Sequence, residues 1–377
     1  MFELTEDQQA VVEMVRDFAT TAIAPHAAEW DETKHFPVDV LREAGTLGMG
    51  GIYVREEFGG SGLSRTDAAL IFEELSKADP TIAAYISIHN MVVWMIDAFG
   101  NDEQRAQWVP QLASMEALGS YCLTEPGAGS DAAALSTKAV LDGDSYVLNG
   151  TKQFISGAGV SSVYVVMART ADTGSQGITA IVVPADAPGL SFGPNEKKMG
   201  WNAQPTRQVI FEDVRVAVAN RLGEEGSGFG IAMKGLNGGR VNMGACSLGG
   251  GQAALEKSIA YLKSRSAFGG PLINQQSLLF DIADMDTELE TARTLILRPR
   301  TLWTVAPGHR EVVRHGEARR HGRRFQRGEQ SHPVARRLRL LVGIRPREDC
   351  QGPARPPDPG RQQRNHEAHR WTARRRA

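Results

Sequence analysis

Hydrophobic residues in the first third of the chain recur at the spacing of a helix. Thr5 suits an N-cap, and apolar side chains follow it every three or four residues: Val11, Val12, Met14, Val15 and Phe18. The same spacing predicts helices over residues 38–47, 64–79 (capped at its first residue, Ser64), 80–99 and 102–114. A glycine-rich loop, EEFGGSGLS, lies between the first two of these. We therefore predict a helical N-terminal domain.

From about residue 117 the period of the pattern changes to two. The segments YVLNGTKQFIS, SSVYVVMART, GITAIVVPAD and RQVIFEDVRV are rich in β-branched residues and are separated by turn residues. This pattern predicts an antiparallel β domain, either a barrel or a sandwich. The segments do not alternate with helices, which argues against a Rossmann-type sheet.

Helical spacing returns after the GEEGSGFG string. One long helix is predicted over residues 231–262, weakened by Gly235, Gly238 and Gly239. The AFGGPLIN string predicts a turn, and residues 277–298 have a clear apolar helical face. We expect these helices to belong to a C-terminal helical bundle.

The whole pattern predicts an α+β fold in four parts. These parts are an N-terminal helical domain (1–116), a middle β domain (117–227), a partial C-terminal helical domain (228–298) and an aberrant tail (299–377). The tail has no sustained period of 3.6 or 2. Taken alone, it would be interpreted as disordered or as a basic arm that binds nucleic acid.

Composition excludes several classes of protein. A chain of 377 residues can bury a large core without disulfides or structural metals. Cys122, Cys246 and Cys350 form no Cys-x-x-Cys pair, which argues against a disulfide framework and a zinc site. Free cysteines suit a reducing compartment, and the first residues lack the order of a signal peptide. We expect a cytoplasmic protein with no membrane span, because polar residues interrupt the most apolar stretch.

The net charge of −2 conceals a sharp asymmetry. Residues 301–377 contain 19 arginines, no lysine and 7 acidic residues, a net charge of +12, whereas residues 1–300 carry a net charge of −14. Such a break in composition marks a boundary. The tail has arginine without lysine or interleaved aromatic residues, so we expect no nucleic-acid partner.

The segment YCLTEPGAGSDAAA, residues 121–134, carries the central chemical signal. Gly127, Ala128 and Gly129 allow the backbone to approach a ligand closely, and Thr124 and Ser130 add hydroxyl groups. Backbone N–H groups together with a serine hydroxyl can bind a pyrophosphate without a lysine. The alternative is an ordinary strand-turn with a capping Ser–Asp pair, and the spacing alone leaves both interpretations open.

This segment resembles the first signature of the acyl-CoA dehydrogenase flavoenzymes. The resemblance continues, in the family's order, through NGTKQFISGAG, GWNAQPTR, FEDVRV, GLNGGR and RSAFGGPLINQQ, and it covers roughly residues 2–298. The strings AYISIHNMVVWMID, GGSGLSR, SYCLTEPG and GLNGGR are most similar to the subgroup that oxidises isobutyryl-CoA. The resemblance implies an FAD cofactor, an acyl-CoA substrate, electron-transfer flavoprotein as the electron acceptor, and a homotetramer for the intact family member.

The resemblance also implies roles for individual residues. The predicted cofactor-binding residues are Tyr121, Cys122, Leu123, Thr124, Gly129, Ser130, Phe154, Ile155, Ser156, Arg265, Phe268, Gln275 and Gln276. Of these, Arg265, Gln275 and Gln276 would reach the FAD of a neighbouring subunit. The predicted substrate-binding residues are Ser130, Asn237, Gly238, Gly239 and Arg240.

Each of these roles has a simpler alternative. Phe154 would equally suit a core position, Arg265 a solvated helix end, and Gln275 and Gln276 a polar loop.

The family's reaction is α,β-dehydrogenation of an acyl thioester. It requires a base for the α-proton and a flavin for the β-hydride. In this subgroup the base is a glutamate within a Leu-Glu-Gly-Ser-Asn-Glu string near the C-terminus, and that string is absent here. The tail's glutamates lack a matching context, so no catalytic residue is assigned to them: Glu311, Glu317, Glu329, Glu348 and Glu367.

A shifted reading frame accounts for the tail. Residues 336–367 can be back-translated with suitable synonymous codons. When that DNA is translated from the second base of each codon, it encodes Gly-Gly-Tyr-Gly-Tyr and later Leu-Glu-Gly-Ser-Asn-Glu. The catalytic glutamate codon would straddle Gly360 and Arg361. We therefore predict that the frame is lost between about residues 297 and 310, and that the chain as written retains little FAD, forms tetramers poorly and is inactive.

Two other functions stay open at this point. The chain could serve another short or branched acyl-CoA, such as 2-methylbutyryl- or butyryl-CoA. It could also be a non-catalytic binding protein that uses its basic tail, whose binding would fall steeply with salt.

Overall fold

The first third of the chain is helical, and its helices begin where the sequence provides caps. A computed structural model gives the fold and describes residues 4–297. The helices are α1 (Glu6–Phe18, followed by a π-helical turn, Ala19–Ile23), α2 (Ala27–Thr33), α3 (Val38–Thr46), α4 (Arg65–Ala78), α5 (Pro80–Phe99) and α6 (Asp102–Ala113). Thr5, Ser64 and Asn101 form reciprocal capping boxes at α1, α4 and α6. The predicted helical N-terminal region is confirmed.

A mixed sheet follows the helices. Its strands are β1 (Gly119–Cys122), β2 (Lys138–Asp142), β3 (Ser145–Ser156), β4 (Val163–Arg169), β5 (Ile178–Pro184), β6 (Leu190–Phe192), β7 (Thr206–Ala217) and β8 (Arg221–Leu222). The order is β6-β7-β3-β2-β4-β5-β8, with β1 beside β4. The expectation of purely antiparallel pairing is wrong, because β1 runs parallel to β4 from Gly119↔Val163 to Cys122↔Val166. The intervening β2–β3 hairpin supplies the long connection that a parallel pair needs.

The central strands of this sheet are buried on both faces. On β4, Val163, Val165 and Met167 join a core that includes residues of α5, α6 and the start of the next helix. Tyr164 and Val166 point to the opposite face and pack among residues of β3 and β7. Alternate side chains of a strand face opposite sides, so the continuous apolar run in SSVYVVMART reflects burial of both faces.

Two long helices complete the described chain. They are α7 (Gly228–Ser264) and α8 (Gln276–Leu297), and a short hairpin of β9 (Ser266–Ala267) and β10 (Gly270–Pro271) lies between them in the chain. The predicted long helix is present, and its glycines do not interrupt it. They mark close approaches instead: a Cβ on Gly235 would lie 2.2 Å from Met95 Cε, and one on Gly249 would lie 2.0 Å from the carbonyl oxygen of Glu73. The approach at Gly249 requires glycine because the facing atom is backbone, whereas at Gly235 it is the end of a flexible side chain.

Helix α5 is largely buried among the described residues. Within the described residues it is long and apolar enough to cross a bilayer, and 78% of its apolar window is buried inside the protein. Core helices of globular proteins have the same property. The expectations for the arginine-rich tail fall on residues 298–377, which lie outside the described residues.

Candidate functional site

The segment that follows β1 makes a tight turn with an open backbone. Glu125 and Ala128 exchange two backbone hydrogen bonds of 3.0 and 3.1 Å across the turn. Gly127 and Gly129 are exposed, and a Cβ added to either would meet nothing within 4 Å. This turn therefore leaves free space beside its backbone, as the sequence predicts for a segment that approaches a ligand.

A β-bulge places Phe154 outside the core. The pairing of β3 with β7 shifts register between Lys152 and Ile155, and Phe154 adopts a left-handed φ of 60°. Its side chain is 59% exposed. A bulge redirects a side chain that would otherwise follow the strand's alternation, so the structure rejects the alternative of a core phenylalanine. An exposed ring on a fixed backbone suits contact with a planar ligand.

Hydrogen bonds join the turn to the bulge. The backbone N–H of Gln153 donates to the carbonyl oxygen of Thr124 at 2.7 Å. One residue before Tyr121, the hydroxyl of Ser120 donates to the carbonyl oxygen of Ser156 at 2.6 Å. The structure thus brings together two of the three predicted groups of cofactor residues, 121–130 and 154–156.

Three of the predicted cofactor residues direct their side chains into the core. Cys122, Leu123 and Ile155 are all at most 7% exposed. Burial raises the pKa of the Cys122 thiol to about 12, which makes it unreactive. Any contact from these residues to a ligand would come from their backbone.

The other residues of the turn offer polar groups. Thr124 is half-buried and Ser130 is exposed. The Tyr121 hydroxyl is buried without a hydrogen-bond partner among the described residues, and an unsatisfied buried hydroxyl costs free energy. The combination of an orphan hydroxyl, an open glycine backbone and an exposed aromatic ring fits a planar ligand that carries a polar tail.

A buried ion pair lies beneath the turn, and sequence reasoning missed it. Lys152 Nζ lies 2.7 Å from Glu125 Oε1, and the two side chains are 0% and 4% exposed. Burial opposes the charge on Glu125, but Lys152 and hydrogen bonds from Thr137 and Ser136 outweigh it and hold the pKa of this carboxyl at about 2. The sequence signal is a lysine within the apolar alternation of YVLNGTKQFIS, which does not by itself identify the buried partner.

Four of the five predicted substrate residues, 237–240, lie on one turn of α7, and Ser130 lies on the turn after β1. Arg240 Nη1 donates to Asn237 Oδ1 at 2.6 Å, and both side chains are exposed. Gly238 faces the guanidinium of Arg65, since an added Cβ would lie 2.7 Å from its Nη1. That guanidinium stacks on the Tyr53 ring, with Cζ 3.4 Å from the ring centroid. This turn therefore combines exposed polar groups with a fixed cation.

The third group of predicted cofactor residues lies beyond the C-terminal end of α7. Arg265 immediately follows α7, and Phe268 at the tip of the β9–β10 hairpin is 91% exposed with φ of 53°. Gln275 and Gln276 lie at the start of α8. Arg265 is 25 residues beyond Arg240, roughly 38 Å along a straight helix. One chain cannot bring this group to the turn at 237–240, so its role at a neighbouring subunit stays a prediction.

Among residues 4–297, no group of three or more histidine, cysteine, aspartate or glutamate side chains could hold a metal ion.

Comparison with known proteins gives three consecutive matches to one family. The N-terminal domain of acyl-CoA dehydrogenase matches residues 5–116, the middle domain matches residues 120–214, and the C-terminal domain matches residues 226–311.

Named relatives agree with these matches. The mitochondrial isobutyryl-CoA dehydrogenase of Dictyostelium discoideum is 56% identical over 294 residues, which are 78% of this chain and 71% of that protein. The butyryl-CoA dehydrogenase of Megasphaera elsdenii has a similar structure, with a TM-score of 0.76, 38% identity and coverage of 78% of this chain and 79% of that one. A glutaryl-CoA dehydrogenase of Mycobacterium smegmatis, in complex with FADH2, gives a TM-score of 0.80, 29% identity and coverage of 90% and 85%.

Proposed function

The chain belongs to the acyl-CoA dehydrogenase family, and from this premise we propose that its function is FAD-dependent α,β-dehydrogenation of a short branched-chain acyl-CoA. Isobutyryl-CoA is the substrate that we propose first. Members of the family are FAD-dependent oxidoreductases that act on a CH–CH bond. The 56% identity to the Dictyostelium isobutyryl-CoA dehydrogenase supports the choice of substrate. A place in valine breakdown would follow from that substrate.

The observation that carries this proposal is the junction of the turn after β1 with the bulge in β3. The hydrogen bond from Gln153 to Thr124 fixes the open glycine turn beside the exposed ring of Phe154. FAD has a flat ring system and a pyrophosphate, and the two segments offer an aromatic face and free backbone N–H groups. We assign these segments to FAD.

Each group in the site has a definite task in this function. Bound FAD supplies the acceptor for the β-hydride. Phe154 would orient the flat ring by contact, Thr124, Ser156 and the Tyr121 hydroxyl would offer hydrogen bonds, and the backbone at Gly129 and Ser130 would meet the pyrophosphate. The buried neighbours of these residues exclude water from one side of the site, which strengthens each polar contact.

Substitution of Gly129 by alanine tests the assignment to FAD. A Cβ at this position meets no protein atom within 4 Å, so the thermal midpoint is expected to stay unchanged. If the backbone of Gly129 contacts the pyrophosphate, the added methyl group should raise the FAD dissociation constant tenfold or more. Binding is measured by fluorescence titration with added FAD, because we expect the chain as written to retain little FAD through purification.

Gly143→Ala is a matched substitution at an exposed glycine in the β2–β3 turn that also has no neighbour within 4 Å, although its φ of 65° brings some backbone strain. It should leave FAD affinity unchanged. The proposal would be contradicted if the unsubstituted chain showed no saturable FAD binding, or if Gly129→Ala bound FAD with undiminished affinity.

The acyl-CoA would contact Ser130 and the turn of α7 from Asn237 to Arg240. Arg240 is exposed, and a guanidinium binds carbonyl and phosphate oxygens well. Bulky side chains of α5 limit the space beside this turn, since Met95 Cε would lie 2.2 Å from a Cβ on Gly235. A short acyl group is consistent with that limit.

A second substrate is favoured by one observation. The Megasphaera butyryl-CoA dehydrogenase has the same fold at 38% identity, and the described residues of the site do not separate a branched from a linear four-carbon acyl group. Butyryl-CoA and 2-methylbutyryl-CoA are therefore the alternatives to isobutyryl-CoA.

Electron-transfer flavoprotein as the acceptor, a homotetramer for the intact enzyme and a cytoplasmic location follow from the family resemblance and the composition of the chain. They belong to the same proposal. The exposed position of Phe268 supports a neighbouring subunit at the β9–β10 hairpin.

The family's catalytic glutamate is missing from this sequence. We propose that the reading frame is lost between about residues 297 and 310, because the second frame of residues 336–367 encodes the expected string. The chain as written therefore lacks the base for the α-proton, and the family's reaction should not proceed on it.

A further inference from the structure

The buried ion pair between Lys152 and Glu125 differs from the other ion pairs in residues 4–297. In each of the others, at least one side chain is 17% exposed or more. Here both side chains are within 4% of complete burial. Burial of two charges costs several kcal/mol for each ion, and apolar side chains of similar volume often serve stability equally well. Stability alone is therefore a poor explanation for this pair.

Every oxygen of the Glu125 carboxylate is used. Oε1 accepts from Lys152 Nζ at 2.7 Å and from the backbone N–H of Thr137 at 2.9 Å. Oε2 accepts from the backbone N–H of Ser136 at 2.7 Å and from its hydroxyl at 2.8 Å. The carboxylate thus ties the turn to the chain that enters β2.

Lys152 extends these contacts to the other side of the site. Its Nζ also donates to the carbonyl oxygen of Leu123 at 3.2 Å. In the sequence, Glu125 follows Thr124 directly, and Lys152 lies at the start of the bulge that exposes Phe154. The two charges therefore hold the turn and the bulge from beneath, at the point where Gln153 joins Thr124.

We propose that Lys152 and Glu125 are positioning residues, which fix the turn at 123–129 relative to the bulge at 152–155 so that both meet the flavin. This role rests on the proposed function. Neither side chain would contact the ligand, because both are buried below the backbone that does. Catalytic sites lose effectiveness when supporting residues allow displacements of about 1 Å.

The double substitution Glu125→Gln/Lys152→Met tests this role in the full chain. It removes both charges together, so that neither is left unpaired in the core. Hydrogen exchange at the amides of Ser136 and Thr137 should become at least tenfold faster, and the FAD dissociation constant should rise at least tenfold. The absorption spectrum of bound FAD should also shift, since the ring would lose its fixed surroundings.

Asp142→Asn/Arg215→Met is the matched control, because that ion pair is 58% and 57% exposed and lies away from the turn. It should change none of the three measurements. Circular dichroism verifies that both double variants fold. If the first double variant unfolds, the single variant Lys152→Arg takes its place. It keeps the charge, so its FAD affinity should stay close to that of the unsubstituted chain.

The possible outcomes separate the two proposals. Faster exchange with unchanged FAD affinity and spectrum would show that the pair is only structural. Unchanged exchange together with unchanged affinity would reject any role in fixing the turn. Absence of FAD binding by the unsubstituted chain would reject the proposed function, and with it a role toward flavin.

Discussion

His89 is a buried base whose two ring nitrogens both have partners. The backbone N–H of Gly119 donates to Nδ1 at 3.0 Å, so the neutral ring carries its proton on Nε2, which donates to the carbonyl oxygen of Leu112 at 2.8 Å. Burial lowers the pKa of His89 to about 4. A proton on Nδ1 would displace the contact with Gly119, at the start of the strand that leads into the site.

This lowered pKa predicts how stability depends on pH. Between pH 4 and the ordinary value of 6.5, the unfolded chain binds a proton at His89 and the folded chain does not. The free energy of unfolding should therefore fall as pH falls through this window, by about 3 kcal/mol in total from this group. Urea unfolding at several pH values measures this dependence. The free energy of unfolding of His89→Gln should change less with pH than that of the unsubstituted chain.

Exposed His26 provides the comparison. His26→Gln should leave the pH dependence as it is. Parallel curves for His89→Gln and the unsubstituted chain would show that His89 is not the group responsible.

At the scale of elements, the contact between α4 and α7 depends on a glycine. A Cβ on Gly249 would lie 2.0 Å from the carbonyl oxygen of Glu73, which is backbone and cannot move aside cheaply. The Ser76 hydroxyl donates to the carbonyl oxygen of Cys246 at 2.5 Å across the same contact. The two helices can pack this closely only because the glycine has no side chain.

Substitution of this glycine should separate the helices. We expect Gly249→Ala to lower the free energy of unfolding by about 1–3 kcal/mol through overpacking. Gly230→Ala lies on the same helix, where a Cβ meets nothing within 4 Å, and should raise stability by about 1 kcal/mol through helix propensity. Chemical denaturation measures both, and equal effects of the two substitutions would contradict the packing argument.

At the scale of the whole molecule, the chain combines the family's fold with a tail in which the Leu-Glu-Gly-Ser-Asn-Glu string does not occur. We expect the chain as written to reduce no artificial electron acceptor with isobutyryl-CoA, even when FAD is added. The frame-restored chain should be active, with kcat/KM for isobutyryl-CoA above the values for butyryl- and 2-methylbutyryl-CoA. Turnover by the chain as written would show that another group removes the α-proton.

The DNA sequence across codons 290–315 tests the proposed loss of reading frame independently of activity. An uninterrupted frame, together with C-terminal peptides of the written sequence in a mass spectrum, would show that the tail is genuine. A single-base insertion or deletion in this interval would support the frame shift.

Much of the fold could be predicted from local patterns. The caps at Thr5 and Ser64 and the helix–sheet–helix order of the chain depend on neighbouring residues, and each agrees with the structure. The TEPGAGSD string also indicated an open turn, because glycine acts through the local backbone. These features can be predicted from sequence because the interactions that stabilise them join residues close together in the chain.

Other features arise from contacts between distant parts of the chain. The parallel pairing of β1 with β4, the exposure of Phe154 at its bulge and the burial of Lys152 against Glu125 each join segments about 25 to 60 residues apart. A lysine in a strand has the same local propensity whether it is solvated or buried, and its environment depends on which segment packs over it. Propensity and periodicity act along the chain, whereas burial and pairing depend on the free energy of the packed whole.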